Sequence, residues 1–378
     1  MGGGCCVTFE DCAFDHCCLV LVAGAEVYLR QPQFNFSDTL PQEAPDRNVA
    51  MLAAERGTRV VVEGGSITGG DAGVVVQAGA HLEASELAVL RTQRCGIEVT
   101  GEGSSSAALT DCSVVEAGSL GVSVGGGSAV CLERCTMSRC AYQGLEVRRP
   151  GSHARANCCN FLDNFGNGVV ALEGSTVHAV ACMSSGNGRG EDHLEIQGLP
   201  IAAYEARDAV VELTDCSSDA DHCGCIASFE GKVMARNVTV TRSATAGFLA
   251  LDGSRLELRG CSASRCEGSA VHAKNVMYTE HVRSMVDAEG CTFSSCREWA
   301  MRAEEGAVVE ARRCSSVENG LGGYSCGDSA HLTVTDSSSM GDTRGYSSHT
   351  DGVLRMLRVS VDGVCKSSEN VAAMEMLF

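Results

Sequence analysis

Two consecutive stretches of the chain share one pattern: SSAALTDCSVVEAGSLGVSV, residues Ser105–Val124, and SAVCLERCTMSRCAYQGLEV, residues Ser128–Val147. When the two stretches are aligned, Cys135 lies under Cys112, and both end in glycine, an aliphatic residue, a polar residue and valine. The offset between them is 23 residues. Self-similarity at a fixed period of about 20 to 50 residues is typical of repeat architectures, so these stretches predict a solenoid.

The same register continues along most of the chain. A position that is most often cysteine, called the anchor here, recurs at common spacings of 22 to 25 residues. The anchor residues are Leu87, Cys112, Cys135, Cys159, Cys182, Cys216, Val238, Cys261, Cys291, Cys314, Ser337 and Val359. Nine residues beyond an anchor, a small residue opens a short alternating strand. A second strand of period two precedes the anchor, with apolar or small pairs such as Ala107 and Leu109, and with Val308 and Glu310 as an exception.

Two or three short strands in each coil predict an all-β fold, a single-stranded right-handed parallel β-helix of about 14 coils with about 23 residues per coil. Because a solenoid adds coils to one continuous core, residues 1–378 are expected to form a single β-helix domain. Leucine-rich repeats are excluded because their asparagine-bearing leucine pattern is absent. Helical repeats are excluded because no coil carries a long run of helical periodicity without a glycine.

A second column of small or turn-forming residues stands five positions after the anchors. Its members are Cys140, Asn164, Asn187, Asp221, Ser243, Cys266, Cys296, Asn319 and Asp342. In a β-helix, equivalent residues of successive coils lie about 4.8 Å apart, so these side chains can stack as ladders. Most of the 23 cysteines are therefore interpreted as stacked core residues, with no metal ligands and no cofactor.

The spacing of asparagine or cysteine, four residues, asparagine or cysteine, three residues, glycine and an alternating strand resembles the repeats of the pectin-lyase-like superfamily. The resemblance covers nearly the whole chain. It implies a parallel β-helix, and it leaves function open because that superfamily includes polysaccharide lyases, hydrolases and noncatalytic scaffolds. The sequence departs from the usual pattern by placing cysteine where asparagine is more common, which suggests a reducing compartment.

Composition and charge limit the classes of partner that the chain is expected to bind. The net charge of −19 repels phosphate backbones, so no nucleic acid partner is expected. The chain has no transmembrane segment and no visible export signal, which indicates a cytoplasmic protein. The opening Gly2 with Cys5 and Cys6 resembles a lipidation signal, but Cys6 stands where the motif requires serine or threonine, so the sequence disfavours N-terminal lipidation.

Deviations from the period predict loops on one face of a solenoid. Loop insertions are expected near residues 35–47, 199–208 and 274–283. The last two leave the helix at the same turn and can wall a groove. Its predicted floor and sides are Glu205, Arg207, Glu230, Lys232, Asp252, Arg255, Lys274, His281 and Arg283. The alternative is that these residues are solvated turn charges beside tolerated insertions.

The sequence gives little support for catalysis. Hydrolase motifs of the superfamily, such as Asn-Thr-Asp and Gly-His-Gly, are missing. The best acid cluster is Glu191, Asp192 and His193 with Asp219, Asp221 and His222, and these residues fall in turns where aspartate is favoured anyway. The chain is therefore predicted not to be an enzyme, but a noncatalytic intracellular scaffold or recognition module that binds a protein partner in a larger complex. The alternative is a polysaccharide lyase, hydrolase or glycan-binding protein with a carbohydrate ligand.

Overall fold

The computed structural model describes residues 6–21, 24–36, 49–53, 57–101, 104–188, 201–276, 283–349, 351–362, 364–367 and 373–377. Two compact units are present, one made of residues 1–183 with 187–193, and the other of residues 184–186 with 194–378. Each unit contains three parallel sheets, called A, B and C in the order in which a coil visits them. Within the described ranges no helix is long and apolar enough to span a membrane.

In the first unit, each coil contributes one strand to each sheet. Sheet A contains Cys6–Glu10, Glu26–Arg30, Arg59–Glu63, His81–Ser85, Ser106–Thr110, Ala129–Glu133, His153–Asn157 and Thr176–Val180. Sheet B contains Ala13–Asp15, Gln33–Asn35, Ser66–Thr68, Ala88–Leu90, Ser113–Val115, Thr136–Ser138 and Asn160–Leu162. Sheet C contains Leu19–Leu21, Val49–Ala53, Ala72–Val76, Ile97–Val99, Val122–Val124, Leu145–Arg148 and Val169–Leu172. The strand Met183–Ser185 is divided between the units.

The second unit repeats this order. Sheet A contains Val210–Thr214, Lys232–Arg236, Arg255–Arg259, Met285–Glu289, Val308–Arg312, His331–Thr335, Val353–Leu357 and Ala373–Leu377. Sheet B contains Ser217–Asp219, Thr239–Thr241, Ser262–Ser264, Thr292–Ser294, Ser315–Val317, Ser338–Met340 and Ser360–Val361. Sheet C contains Ala202–Arg207, Cys223–Ser228, Phe248–Leu251, Val271–Lys274, Trp299–Ala303, Gly322–Cys326, Arg344–Ser348 and Val364–Ser367. The chain makes about 14 coils of roughly 23 residues, which confirms the predicted parallel β-helix.

Alternation along the strands places the core inside each coil. In the strand Ser106–Thr110, Ala107 and Leu109 are buried while their neighbours are half-buried. The register pairs Ala107 with Val130 and Leu109 with Leu132 of the next coil, so like residues stack on like. The sequence correctly predicted these inward pairs because a strand turns alternate side chains to opposite faces.

The exception predicted at Val308 and Glu310 is wrong by one position. Val309 and Ala311 are the inward residues of that strand, and both are fully buried. A shift of one residue in a strand exchanges its two faces, so the correct register removes the apparent break in the pattern.

The anchor cysteines form internal ladders, as predicted. The thiol of Cys135 donates to the carbonyl of Leu109 in the preceding coil at 3.3 Å, and Cys182 makes the same contact with Ala156. Each anchor follows a single residue with positive φ, such as Asp111 before Cys112, which bends the chain between sheets A and B. The described cysteines form no disulfide.

The second predicted column also stacks inside the fold. The side-chain oxygen of Asn164 accepts from the backbone N–H of Cys140 at 3.0 Å, and that of Asn187 accepts from the N–H of Asn164 at 2.9 Å. Asn319 and Asp342 repeat the arrangement in the second unit at 2.7 Å. These side chains satisfy backbone donors that the turn leaves buried, so the ladder stabilises each bend.

Glycine at the start of the sheet C strands has a packing cause. A Cβ atom on Gly121 would lie 2.5 Å from the carbonyl oxygen of Gly144, and one on Gly144 would lie 2.7 Å from that of Gly168. Any side chain there would force the coils apart. This close approach explains why glycine recurs nine residues beyond the anchor.

The structure describes most of one of the three predicted insertions. The loop expected at 199–208 is wrong for most of its length, since Ala202–Arg207 forms a regular strand of sheet C with five buried residues. Residues 189–200, which precede that strand, lie outside the described residues. Most of 35–47 and residues 277–282 of the third insertion also lie outside the described residues.

Candidate functional site

The outward side chains of sheet C in the second unit define a column that changes in chemistry along its length. One outward residue per coil belongs to this outer column. Its members are Glu205, Ile226, Leu249, His272, Arg302, Ser325 and Ser347. Because the sheet is rigid and its strands are in register, neighbouring members are held about 4.8 Å apart.

The first part of the column is apolar and buried. Ile226 and Leu249 are 0% and 5% exposed, although they point away from the coil interior. They belong to a cluster whose other buried members are Ala202, Cys223, Ala246 and Leu251. This part of the outer face is closed to solvent.

The next part carries four ionisable side chains, called the His272 cluster: His272, Arg302, Glu298 and Glu304. Nε2 of His272 lies 3.0 Å from one carboxylate oxygen of Glu304, and Arg302 donates to the other at 2.5 Å. Arg302 also contacts Glu298 at 3.4 Å, and Ser269 donates to the same Glu298 oxygen at 3.1 Å. The side chains of His272, Glu304 and Arg302 are 17%, 22% and 30% exposed, so solvent reaches them only partly.

Electrostatics fix the state of Glu304. Burial by itself favours the neutral acid, but the hydrogen bond from His272 and the charge and hydrogen bond of Arg302 outweigh it and hold the pKa of Glu304 at about 2. Glu304 is therefore ionised at neutral pH. An ionised carboxylate accepts hydrogen bonds only, so this contact requires a proton on Nε2 of His272.

The other ring nitrogen, Nδ1, is an acceptor in the neutral form of an imidazole whose proton is on Nε2. Nδ1 has no hydrogen-bond partner among the described residues. A carboxylate that fixes the tautomer of an imidazole and leaves the opposite nitrogen basic is the arrangement used for proton transfer in hydrolytic triads. Such an arrangement can take up a proton from a bound molecule. Arg302 occupies the paired position on the neighbouring strand and can offer a positive charge to the same molecule.

The described members of the predicted groove lie on sheet C, in the turns that follow it and at the start of strands of sheet A. Glu205 is 1% exposed and pairs with Arg207 at 2.8 Å, so these two satisfy each other on sheet C. Glu230 and Asp252 lie in consecutive turns between sheets C and A, and Lys274 is the last residue of the strand Val271–Lys274. The backbone N–H groups of Glu230 and Asp252 donate at 3.3 Å to the next coil. Their role in binding stays a prediction.

Two further groove residues follow those turns directly and pair with each other in register. Lys232 and Arg255 occupy sheet A, and both contact Glu257 at 2.9 Å. Arg283 is exposed just before the strand Met285–Glu289, and His281 lies outside the described residues.

A second charged surface lies on sheet A and forms a shallow depression of about 280 Å³. Its lining residues are Glu212, Leu213, Thr214, Met234, Ala235, Arg236, Glu257 and Arg259. Glu257 is bound by two cations, and a hydrogen bond to Asp287 raises the pKa of Arg259. Glu257 and Arg259 are thus committed to ion pairs. Nδ1 of His272 has no hydrogen-bond partner among the described residues, so the His272 cluster is the stronger candidate.

The described aspartates of the predicted acid cluster are bound to other side chains. Asp219 binds Arg242 and accepts from Thr241 at 2.6 Å, while Asp221 is buried and accepts from Ser218 at 2.8 Å. Glu191, Asp192 and His193 lie outside the described residues. Within the part of the chain that the structure describes, no group of three or more histidine, cysteine or acidic side chains is placed to hold a metal ion.

Sequence reasoning missed His272, Arg302 and Glu304. His272 and Arg302 occupy the same outward position of successive strands, in VHAK and WAMRA, which the 23-residue alignment already placed in one column. Reading the outward positions of sheet C as columns would have found them. The search for known acid motifs did not test those positions.

The fold and the column of outward residues define a right-handed parallel β-helix protein. A family model described as the right-handed β-helix region matches residues 72–212 and 224–360, which is more than half of the chain. The chain therefore belongs to the right-handed β-helix family. No curated protein matches it in sequence.

Several solved structures are similar in fold. The catalytic unit of the GH87 α-1,3-glucanase from Streptomyces thermodiastaticus strain HF3-3 is 12% identical, with a TM-score of 0.45 over 84% of this chain and 65% of that one. The periplasmic alginate epimerase AlgG is 8% identical, with a TM-score of 0.39 over 91% and 78%. The family 28 exopolygalacturonase of Yersinia enterocolitica is 9% identical, with a TM-score of 0.32 over 84% and 73%. The chain spans less than two thirds of the glucanase unit.

Most of the similar structures are carbohydrate-active enzymes, and this finding overturns the prediction that the chain is not an enzyme. That prediction depended on missing hydrolase motifs. One fold carries many different site residues, so the absence of one motif set is weak evidence against catalysis. At these identities the likeness shows the fold, and it assigns none of those activities to this chain.

Proposed function

We propose that this chain is a carbohydrate-active enzyme of the polysaccharide lyase type, with the His272 cluster as its site. The observation that carries the proposal is the imidazole of His272, which ionised Glu304 holds at Nε2 while Nδ1 has no described partner. A base held in this way on a rigid strand is positioned to remove a proton from a bound sugar.

The protonation state of the cluster favours elimination over hydrolysis. Glycoside hydrolysis needs a protonated carboxylic acid beside the glycosidic oxygen. Glu304, with a pKa of about 2, is ionised at neutral pH and cannot donate a proton. Elimination instead requires a base, and Nδ1 of the His272 imidazole is the group that we propose for this role.

The proposed reaction requires a uronate sugar. Nδ1 of His272 takes the proton on C5, which is acidified by the neighbouring carboxylate group of the sugar. The electron pair forms the C4–C5 double bond as the bond from C4 to the glycosidic oxygen breaks. That oxygen takes a proton from water, and the hydroxide left behind takes the C5 proton from His272, which restores the base. The products are one chain with an unsaturated end and one with a new free hydroxyl.

Arg302 is placed to bind the carboxylate of the sugar and to stabilise the charge that develops when C5 loses its proton. Its contact with Glu298 is the longer of its two ion pairs, at 3.4 Å. A substrate carboxylate can replace that contact while Glu298 keeps its hydrogen bond from Ser269. The contact between Arg302 and Glu304 then remains and continues to orient His272.

The overall charge sets a condition on binding. A chain with a net charge of −19 repels an anionic glycan at a distance, so rising salt should lower KM over the range in which this repulsion is screened.

The test is incubation of the purified chain with polymers of galacturonate, glucuronate and mannuronate or guluronate, with neutral glucans as controls. We expect the ultraviolet absorbance of the unsaturated uronate product to rise with one of the uronate polymers and with none of the glucans. New reducing ends without that absorbance would contradict elimination and indicate hydrolysis. The absence of any product would contradict an enzymatic role for the cluster.

A further inference from the structure

Three outward side chains on sheet A of the first unit are joined by hydrogen bonds, and they are called the Ser106 triad here: Ser106, His81 and Glu83. Ser106 and His81 occupy paired positions of neighbouring strands, and the hydroxyl oxygen of Ser106 lies 2.7 Å from Nδ1 of His81. Nε2 of the same ring lies 3.1 Å from a carboxylate oxygen of Glu83. Hydroxyl, imidazole and carboxylate follow one another as in the triad of serine hydrolases, with the two ring nitrogens exchanged relative to the serine proteases.

Arg59 holds the carboxylate of the triad in place. Its guanidinium donates to both oxygens of Glu83 at 2.9 Å and to Glu26 at 2.7 Å. The hydrogen bond from Arg59 is the main cause that lowers the pKa of Glu83, so this carboxyl is ionised at neutral pH. Its contact with Nε2 therefore requires a proton on that nitrogen, and in the neutral form of the ring Nδ1 accepts from the Ser106 hydroxyl. The carboxylate thus selects the tautomer in which His81 can take the proton of the serine.

Small side chains leave room on the other sides of the serine hydroxyl. Ala108 lies on the same face of its strand, and Ala129 and Cys131 are the paired residues of the next coil. Large exposed side chains return one coil further on, at His153 and Arg155. From the coil of the triad imidazole to the coil of His153 there are three intervals, or about 14 Å. This width admits a short acyl group beside the serine.

Arg155 provides a donor for the carbonyl oxygen of such a group. Its side chain is exposed, and the described residues give its guanidinium no ion pair or hydrogen bond. A guanidinium only donates hydrogen bonds, and its long side chain can reach across one coil towards a carbonyl that lies over Ala129. A donor at that oxygen stabilises the negative charge that develops when a nucleophile attacks the carbonyl carbon.

We propose that the Ser106 triad is a second catalytic site, which hydrolyses esters of short carboxylic acids such as acetyl esters. His81 takes the proton of Ser106 as the serine oxygen attacks the carbonyl carbon, and it gives that proton to the alcohol oxygen as the ester bond breaks. Water then attacks the acyl-serine. His81 takes a proton from this water and returns it to the oxygen of Ser106 as the acyl bond breaks, so the products are the alcohol and the short acid. This reaction is independent of the elimination proposed at the His272 cluster, which lies in the other unit.

The first test is reaction of the purified chain with a fluorophosphonate probe, which a nucleophilic serine attacks with release of fluoride. Peptide mass spectrometry should find the probe on Ser106, and Ser106→Ala should abolish the labelling. Ser85→Ala is the matched control, because Ser85 is an outward residue of the strand that carries His81 and has no side-chain hydrogen bond among the described residues. This control should be labelled as the wild type is. A wild-type protein without the probe on Ser106 would overturn the proposal.

The second test is steady-state hydrolysis of p-nitrophenyl acetate and p-nitrophenyl octanoate. Repeated turnover is required, because an exposed thiol such as Cys131 can be acylated only once. The acetate should be preferred by at least about tenfold in kcat/KM, because the room beside the serine is short. Equal values for the two esters would overturn the assignment of a short acyl group.

Glu83 is a positioning residue in this reaction, since it acts through His81. Glu83→Gln should therefore lower kcat for the acetate by about 10²-fold or more and leave KM within about twofold. Ser106→Ala should abolish turnover, and Ser85→Ala should leave it unchanged. Full turnover in Ser106→Ala, or an unchanged kcat in Glu83→Gln, would overturn the triad.

Discussion

Replacement of Glu304 by glutamine tests the electrostatics of the site. The change keeps the size of the side chain and removes its charge, so His272 loses the ionised partner that fixes its tautomer. A carboxyl whose pKa falls from 4.5 to about 2 on folding stabilises the fold by up to about 3 kcal/mol at neutral pH. Solvent reaches part of this cluster, which reduces the expected loss of unfolding free energy to about 1–2 kcal/mol.

The direction of the pH dependence follows from the lowered pKa. The stabilisation is fully present above the unfolded pKa of about 4.5 and is lost as the pH falls through about 2. Urea denaturation of the wild-type protein and Glu304→Gln should therefore differ at pH 7 and converge towards pH 2. The neighbouring exposed Glu305 provides the control, since Glu305→Gln should change stability by less than about 0.5 kcal/mol. A difference for Glu304→Gln that does not vary with pH would refute this reasoning.

Two further predictions concern the ladders. Asn164→Ala leaves the buried N–H of Cys140 without its acceptor. The variant should lower the unfolding free energy, measured by denaturation, by about 2–4 kcal/mol. A loss below about 1 kcal/mol would show that the ladder does not stabilise the turn. Cys131 is exposed and should react rapidly with a thiol reagent, whereas burial raises the pKa of Cys223 to about 12 and should protect it until the chain unfolds; equal rates at the two thiols would contradict their placement.

Much of the fold could be predicted because each coil places similar residues at the same structural positions, so every requirement of the fold appears in the sequence many times. Glycine recurs where Gly121 meets a carbonyl of the next coil, and asparagine or cysteine recurs where a buried backbone donor needs a partner or a bend needs a small side chain. These constraints act between neighbouring coils, so an alignment of the sequence with itself reveals them. The error at Val308 shows the limit of this approach, since one residue of register decides which face of a strand is inside.

The candidate site was harder to predict because its residues break no pattern. His272 and Arg302 occupy ordinary outward positions of sheet C, where any residue that tolerates partial exposure is accepted. They can be recognised as a candidate site only from the structure, in which Glu304 lies 3.0 Å from the imidazole of His272. Glu304 follows a different strand from the one that carries His272. Interruptions of the period directed attention to Glu205 and Arg207 instead, and these two residues pair with each other in a regular strand.

The assignment of the site to sheet C is tested most directly by comparing the activities of two variants, one on the outer face of sheet C and one on the outer face of sheet A. His272→Gln keeps a donor for Glu304 and removes the base, whereas Glu257→Gln alters the charged surface of sheet A. Both variants are assayed on the uronate polymer that gives unsaturated product. His272→Gln should lower kcat by about 10²- to 10⁴-fold, which is the usual contribution of a general base. Glu257→Gln should leave kcat within about twofold of the wild-type value. Loss of activity in Glu257→Gln with full activity in His272→Gln would contradict the assignment of the site to sheet C.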